Sequence, residues 1–191
     1  MTRDAMLIAL KLKGFIRPEV LGYEYATLIS QELATDSKMG LRLTPAGREA
    51  AAEVWAKELT AANAVALEVV YGRFTAINSL FKALVTDWQI RDGETNIHQD
   101  AVYDAAIVAR LDDVHKDLIP ILAAAVAQVP RLASYAPGFE GALNKLKGGE
   151  TRWMAAPIID SYHTLWFELH EELIHLTGRT RATEAAAGHG A

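Results

Sequence analysis

Apolar positions recur at helical spacing over most of the chain. Trp55, Leu59, Ala62, Ala66 and Val69 step by four and three residues, and Val70, Phe74, Ile77, Phe81, Leu84 and Trp88 continue the rhythm one residue out of phase. That stripe predicts helix from Ala46 to about Gln89. The slip falls beside Gly72, which predicts two helices or a kink there. Arg91–Asn96 reads as a polar loop. Ala101–Ala127 reads as helix, with Val102, Ala105, Ala109, Leu118, Leu122 and Ala125 in spaced apolar positions and a kink or split at Pro120. Pro130–Gly138 is a connection, Phe139–Lys147 a short helix stopped by Gly148 and Gly149. Ala156–Thr177 is a strong helix with Leu165, Leu169, Leu173 and Leu176 on one side and Gly178 at its end. Ala182–Ala191 carries no core pattern and reads as a disordered tail.

The first 50 residues have a different rhythm. Asp4–Phe15 predicts a helix with Met6, Leu7, Leu10 and Phe15 inward and Gly14 as its stop. Pro18 suits a first helical position and opens a short segment to Tyr23. Thr27 is placed to cap a third helix, Leu28–Thr35. Asp36–Gly40 is turn-like, and Leu41, Arg42 and Leu43 alternate as a strand does. Thr44 and Pro45 then read as cap and first residue of the next helix. This order, three helices, a turn, a strand and a helix, is that of a winged helix-turn-helix.

Leu43, Thr44, Gly47 and Arg48 form the pattern L-T-x-x-G-R at the end of that strand. This resembles the exit from the wing in MarR-type transcriptional regulators, and Ala9–Phe15 is compatible with the first helix of their DNA-binding domain. The resemblance covers about residues 5–55, roughly a quarter of the chain. It implies a mainly α fold, with an N-terminal winged helix-turn-helix and short β wing followed by an α-helical bundle. It also implies double-stranded DNA as a partner. Thr27, Ser30 and Gln31 would then contact bases or backbone, and Lys38, Arg42 and Arg48 would contact phosphates. The chain departs from the pattern in two ways. Arg17–Gly40 is short for two helices and a full wing, and the recognition segment Thr27–Thr35 holds Glu32 but no Lys or Arg, the residues that usually read guanine and grip phosphate.

Composition narrows the class. The chain has 191 residues, 51% hydrophobic and 23% charged, which suits one large folded domain or two small ones. No apolar run approaches the roughly 18 residues of a membrane span, and no secretory leader is expected. With no cysteine, disulfides, thiolate zinc sites and iron–sulfur clusters are excluded, in keeping with a cytoplasmic protein. The net charge of −5 is uneven: residues 1–48 carry seven Lys/Arg against five Asp/Glu, the remainder twelve against nineteen. A mildly basic end on an acidic body suits an anionic partner at that end.

Candidate chemistry gathers late in the chain. The last helix holds Asp160, Tyr162, His163, Trp166, Glu168, His170, Glu171, Glu172 and His175. At 100° per residue, Asp160, His163, Phe167, His170 and Ile174 share a side. Glu172 and His175 have the E-x-x-H spacing of di-metal bundles, but no second copy exists and H-E-x-x-H is absent. Ser161, His163 and Asp160 spell a triad on paper, yet adjacent helical residues point apart. His98, Asp100 and Asp104 are able to supply an imidazole and oxygens. His115 among Asp112, Asp113 and Asp117 reads as a solvated histidine. No phosphate-binding glycine loop is present. Arg152 beside Trp153, with aromatic walls elsewhere, suggests a pocket for an acidic or aromatic small molecule. The ligand set is Trp88, Arg152, Trp153, Asp160, His163, Trp166 and His170, with no metal, cofactor or catalytic residue assigned.

The combined expectation is a cytoplasmic, homodimeric DNA-binding regulator. Residues 1–48 form the winged-helix domain, 49–178 a dimerising and ligand-sensing body, and 179–191 a flexible tail. A helical interaction or accessory subunit without DNA binding is the alternative, and a helical-bundle metal enzyme using Asp160, His163, His170 and Glu171 is a third reading.

Overall fold

The computed structural model describes residues 1–22 and 24–186. The chain is mainly helical, with two small antiparallel hairpins, and divides into two compact units, Met1–Ala62 and Asn63–Ala191. The division falls after the helix that the sequence reading assigned to the body from residue 49. That helix packs on the first helix of the chain, so it belongs to the first unit.

In the first unit, α1 spans Arg3–Lys13. The Thr2 hydroxyl accepts from the Ala5 amide at 3.3 Å, Asp4 and Lys11/Lys13 complement the helix dipole, and Gly14 ends it. Met6, Leu7, Ile8 and Leu10 are buried. Ile16 then makes an antiparallel bridge to Leu41, its amide donating to the Leu41 carbonyl at 3.1 Å and its carbonyl accepting from the Leu41 amide at 2.8 Å. α2 is Pro18–Leu21 and α3 is Tyr25–Ser30. β1 (Ala34–Ser37) pairs with β2 (Gly40–Leu43), and α4 runs Pro45–Ala61.

Several expectations are corrected here. Thr27 lies inside α3 rather than capping it, and α3 ends at Ser30, because Glu32 takes a left-handed backbone (φ 57°) that leads into β1. The turn-like segment is therefore shorter than Asp36–Gly40, its first residues being strand. Tyr23, the expected end of the second segment, lies outside the described residues.

The exit from the hairpin has a physical cause. The Thr44 hydroxyl donates to the Glu32 carbonyl at 2.7 Å and accepts from the Gly47 amide at 3.0 Å, while the Thr44 amide donates to the Leu33 carbonyl at 3.0 Å. One residue thus caps α4 and ties it to the end of α3. Gly47 must be small there: a Cβ would strike the Leu33 carbonyl oxygen, with the carbonyl carbon only 2.8 Å away. Gly40 meets the same limit, since its φ is 131° and a Cβ would lie 2.6 Å from the Ile16 carbonyl oxygen.

The second unit is a helical bundle. α5 spans Ala64–Gln89, α6 Ala101–Gln128, α7 Tyr135–Lys147 and α8 Tyr162–Leu176. α5 packs along α6, α7 against α6, and α8 against α5 and α7. The long periodic stretch does break into two helices, but at Ala62–Asn63 and not at Gly72. The Asn63 side chain accepts from the Ala66 amide at 3.1 Å and caps α5, while Gly72 lies inside it. α6 passes through Pro120 without splitting, and Pro120 is exposed. Arg91–Asn96 is no plain loop: β3 (Ile90–Arg91) and β4 (Glu94–Thr95) pair around Asp92 and Gly93, with φ 52° and 84°, the signs a two-residue hairpin turn demands. α7 starts earlier than residue 139, after a 3-10 turn at Pro130–Ser134. α8 starts later than residue 156, at the Ser161 cap, whose hydroxyl accepts from the Thr164 amide at 3.3 Å.

The core joins Phe81 stacked on Trp166 (4.1 Å between centroids), Phe74 against Trp166 (5.0 Å) and Phe139 against Tyr162 (4.9 Å). Buried Glu172 is gripped by Arg131, Nη1 to Oε1 at 2.5 Å and Nη2 to Oε2 at 2.8 Å. The expected tail is partly ordered. α9 is Arg181–Ala186, Arg179 pairs bidentately with Glu68 at 2.7 Å, and buried Glu184 accepts from the Tyr71 hydroxyl. Residues 187–191 of that expectation lie outside the described residues. Among the described residues no helix is long and apolar enough to cross a membrane.

Candidate functional site

The second unit contains a groove of about 600 Å³. α6 lines it with Ala101, Asp104, Ala105, Val108, Ala109 and Asp112. Trp88 enters from the last turn of α5, His98 from the α5–α6 connection, and Leu146, Lys147, Gly149 and Thr151 from the end of α7 and the turn after it.

Local sequence builds the His98 end. Asp100 caps α6 by accepting from the Val102 amide at 3.1 Å and the Tyr103 amide at 3.0 Å. The Tyr103 amide, and then Arg91 at 3.0 Å, hold its carboxyl below the usual value. Arg91 also lies 4.5 Å over the Tyr103 ring, which clamps the hairpin to the start of α6. His98 follows in a left-handed backbone, φ 56°, a conformation that costs roughly 1–2 kcal/mol outside glycine. It is held there because its amide donates to Asn96 Oδ1 at 3.1 Å and its Nδ1 faces the buried Asp104 carboxylate at 3.1 and 3.2 Å. Asn96 Nδ2 also donates to Asp104 Oδ1 at 3.2 Å and to the Trp88 carbonyl at 3.0 Å. The His98 ring lies 4.4 Å from the Trp88 ring. An imidazole whose Nδ1 is engaged by a carboxylate keeps Nε2 as its remaining polar atom.

The other end is Asp112. Its Oδ1 accepts from Lys147 at 2.5 Å and its Oδ2 pairs with Lys116 at 3.1 Å. Lys147 first, then Lys116, lower its carboxyl below the usual value. The side-chain hydroxyl of Thr151 has no partner among the described residues. His98 has no hydrogen-bond partner beyond Asn96 and Asp104 among the described residues.

The structure brings only Trp88 of the expected ligand set to this groove. Trp166 and His170 are core residues, 2% exposed. Trp166 Nε1 donates to Asn78 Oδ1 at 2.8 Å. His170 lies against Phe74 and Tyr71, and burial, with Arg181 adding, lowers its pKa to about 4. His163 is half-buried beside Phe81, and burial lowers its pKa. Asp160 precedes α8 and is exposed, so it does not share a helical face with His163 and His170. Arg152 is exposed, and Trp153 donates to Glu150 at 3.0 Å beneath the Lys145 ammonium. His115 is half-buried, not solvated: its Nδ1 is 3.2 Å from the Tyr162 hydroxyl, and burial lowers its pKa. Glu172 is taken by Arg131 and His175 by Glu171 at 3.2 Å. Among the described residues no group of three His, Asp or Glu is placed to hold a metal ion.

In the first unit, Thr27, Ser30 and Gln31 are exposed along or just after α3, and Lys38 and Arg42 are exposed on the hairpin. Three of these six residues are engaged within the unit: Ser30 Oγ donates to the Thr27 carbonyl at 3.0 Å, Gln31 Oε1 accepts from Arg3 at 3.1 Å, and Arg48 Nη1 donates to the Leu43 carbonyl at 3.0 Å. No family model, curated protein or solved structure matches the chain.

Proposed function

We propose that the chain is a homodimeric, ligand-responsive DNA-binding regulator of the cytoplasm, its first unit a winged helix-turn-helix and its second a sensor whose groove holds the effector. The backbone bridge between Ile16 and Leu41 carries this reading. It adds a third strand position between α1 and α2 to the β1–β2 hairpin, the connectivity a winged helix needs. Exposed Thr27, Ser30 and Gln31 then meet bases or backbone, and Lys38 and Arg42 meet phosphates from the wing. An effector acts by binding one arrangement of the DNA-binding units better than another, which shifts the population.

The test is fluorescence anisotropy on pooled genomic DNA fragments at low and moderate salt, beside Lys38→Ala/Arg42→Ala. These two side chains serve better than Arg48, whose substitution also removes a backbone contact at Leu43. Saturable binding is expected, with a salt slope that drops by about 2 per protomer in the double variant. A specific observation favours a second reading, a protein-interaction module without DNA binding. α3 carries no Lys or Arg, Gln31 is already held by Arg3, and residues 1–62 hold equal numbers of basic and acidic side chains. A folded chain that ignores DNA even at low salt overturns the first reading and leaves the second to be tested by its own partner search.

A further inference from the structure

The groove in the second unit has two polar ends and an apolar middle. Asp104 and Asp112 lie eight residues apart on α6, which places the ends about 12 Å from one another at 1.5 Å per residue. Between them the lining is Ala105, Val108, Ala109, Trp88 and Leu146.

The partners of the polar groups at the two ends point to the ligand's polarity. Both carboxylates are already answered from within the chain: Asp104 by His98 and Asn96, Asp112 by Lys147 and Lys116. At the Asp112 end two cations compensate the one carboxylate, and Lys147 keeps N–H bonds beyond the one it gives Asp112, with the hydroxyl of Thr151 beside it. At the Asp104 end the open group is His98 Nε2, which accepts when Nδ1–H is given to Asp104. Donors at one end and an acceptor at the other, two helical turns apart, call for an acceptor anion and a distant donor.

We propose that this groove binds a small elongated monocarboxylate bearing a hydroxyl at its far end, with the carboxylate at Lys147 and Thr151, the apolar body along Val108, Trp88 and Leu146, and the hydroxyl donating to His98 Nε2. The left-handed backbone of His98 fits this role, because the residue lines the groove and is braced by Asn96 and Asp104. The proposal rests on reading the groove as the effector site, and it names the chemistry that site selects. Groove size agrees, since sites for small molecules span a few hundred to about 1,000 Å³.

The test is isothermal titration of the full chain, without DNA, using ω-hydroxyoctanoate, octanoate and octanol. ω-Hydroxyoctanoate is expected to bind saturably at one site per chain, octanoate at least fivefold more weakly, and octanol without saturation. Lys147→Met and Val108→Trp, each checked by circular dichroism for an unchanged fold, are both expected to weaken ω-hydroxyoctanoate at least tenfold. No saturable binding of ω-hydroxyoctanoate at millimolar concentration to the folded chain overturns the proposal. So does equal binding by Lys147→Met, or equal affinity for octanoate. Because DNA is absent, failure here leaves the DNA titration to stand by itself, and ligand binding with no DNA binding rejects the regulator reading alone.

Discussion

Replacing Gly47 by alanine sets two physical arguments against each other with opposite signs. Gly47 stands in the first turn of α4, so helix propensity alone predicts stabilisation of up to about 1 kcal/mol. The tertiary contact predicts the reverse. A Cβ would collide with the Leu33 carbonyl oxygen, lie 2.8 Å from its carbon and 3.1 Å from a Leu43 methyl. The methyl can rotate away. The carbonyl cannot, because it accepts from the Thr44 amide at 3.0 Å, beside the Thr44 hydroxyl bond to Glu32 at 2.7 Å. Relief therefore moves the start of α4 and weakens both bonds, about 1 kcal/mol each, on top of roughly 1–3 kcal/mol of overpacking. After subtracting the propensity gain, the expected loss is about 3 kcal/mol.

Hydrogen-exchange mass spectrometry on peptides across Leu41–Ala61 reads this locally, which matters because the chain has two compact units and global unfolding need not be one transition. Exchange is expected to quicken on the order of a hundredfold. Gly72→Ala is the control: that glycine sits inside α5 with open space around its Cβ position, and alanine there should stabilise α5 by up to about 1 kcal/mol. If Gly47→Ala slows exchange as Gly72→Ala does, the close approach to Leu33 is not what selects glycine, and the account of the hairpin exit is wrong.

Glu172→Ala leaves Arg131 without its buried partner, and urea titration should show a loss of about 3–5 kcal/mol, with Glu172→Leu/Arg131→Met recovering most of it; a single-variant loss under about 1 kcal/mol would refute the role given to the pair. His170 has a folded-state pKa of about 4 against 6.5 in the free side chain, so the unfolded chain takes up the proton first as pH falls. Its contribution to stability is complete above about pH 6.5 and fades as pH drops toward 4, a loss of about 2–3 kcal/mol. His170→Gln should flatten that part of the urea-midpoint profile; a variant with the same acid sensitivity as the parent argues that other groups carry it. Asp104→Ala removes the brace on His98 Nδ1, and proton NMR should then show the His98 ring signals moving toward those of a free histidine while the α8 histidines keep theirs.

Signals that act within a few residues were legible in the order of amino acids. Thr44 and Pro45 announce the start of α4, Gly14 the end of α1, and the apolar rhythm through Phe74, Phe81 and Trp88 the long α5, because caps and helix faces are set by neighbours in sequence. Two local signals were present and outweighed: Asn63 as a cap, hidden by an apolar stripe that runs past it, and Asp92-Gly93, the turn pair of a hairpin. Tertiary structure decided the rest. Periodicity shows that Trp166 and His170 share the stripes of α8, but only packing against α5 shows that both face the core. Helical extrapolation carried Asp160 onto a face with His163, where the real helix begins two residues later, at Tyr162. The groove draws on three stretches of chain: Trp88 to His98 from the end of α5 into the α5–α6 connection, Ala101 to Asp112 on α6, and Leu146 to Thr151 from the end of α7 onward. Amino-acid order specifies which residues can cap, turn or line a face. Which of those faces meet is settled by packing alone, because side chains far apart in sequence acquire a common environment only when the helices that carry them close on one another.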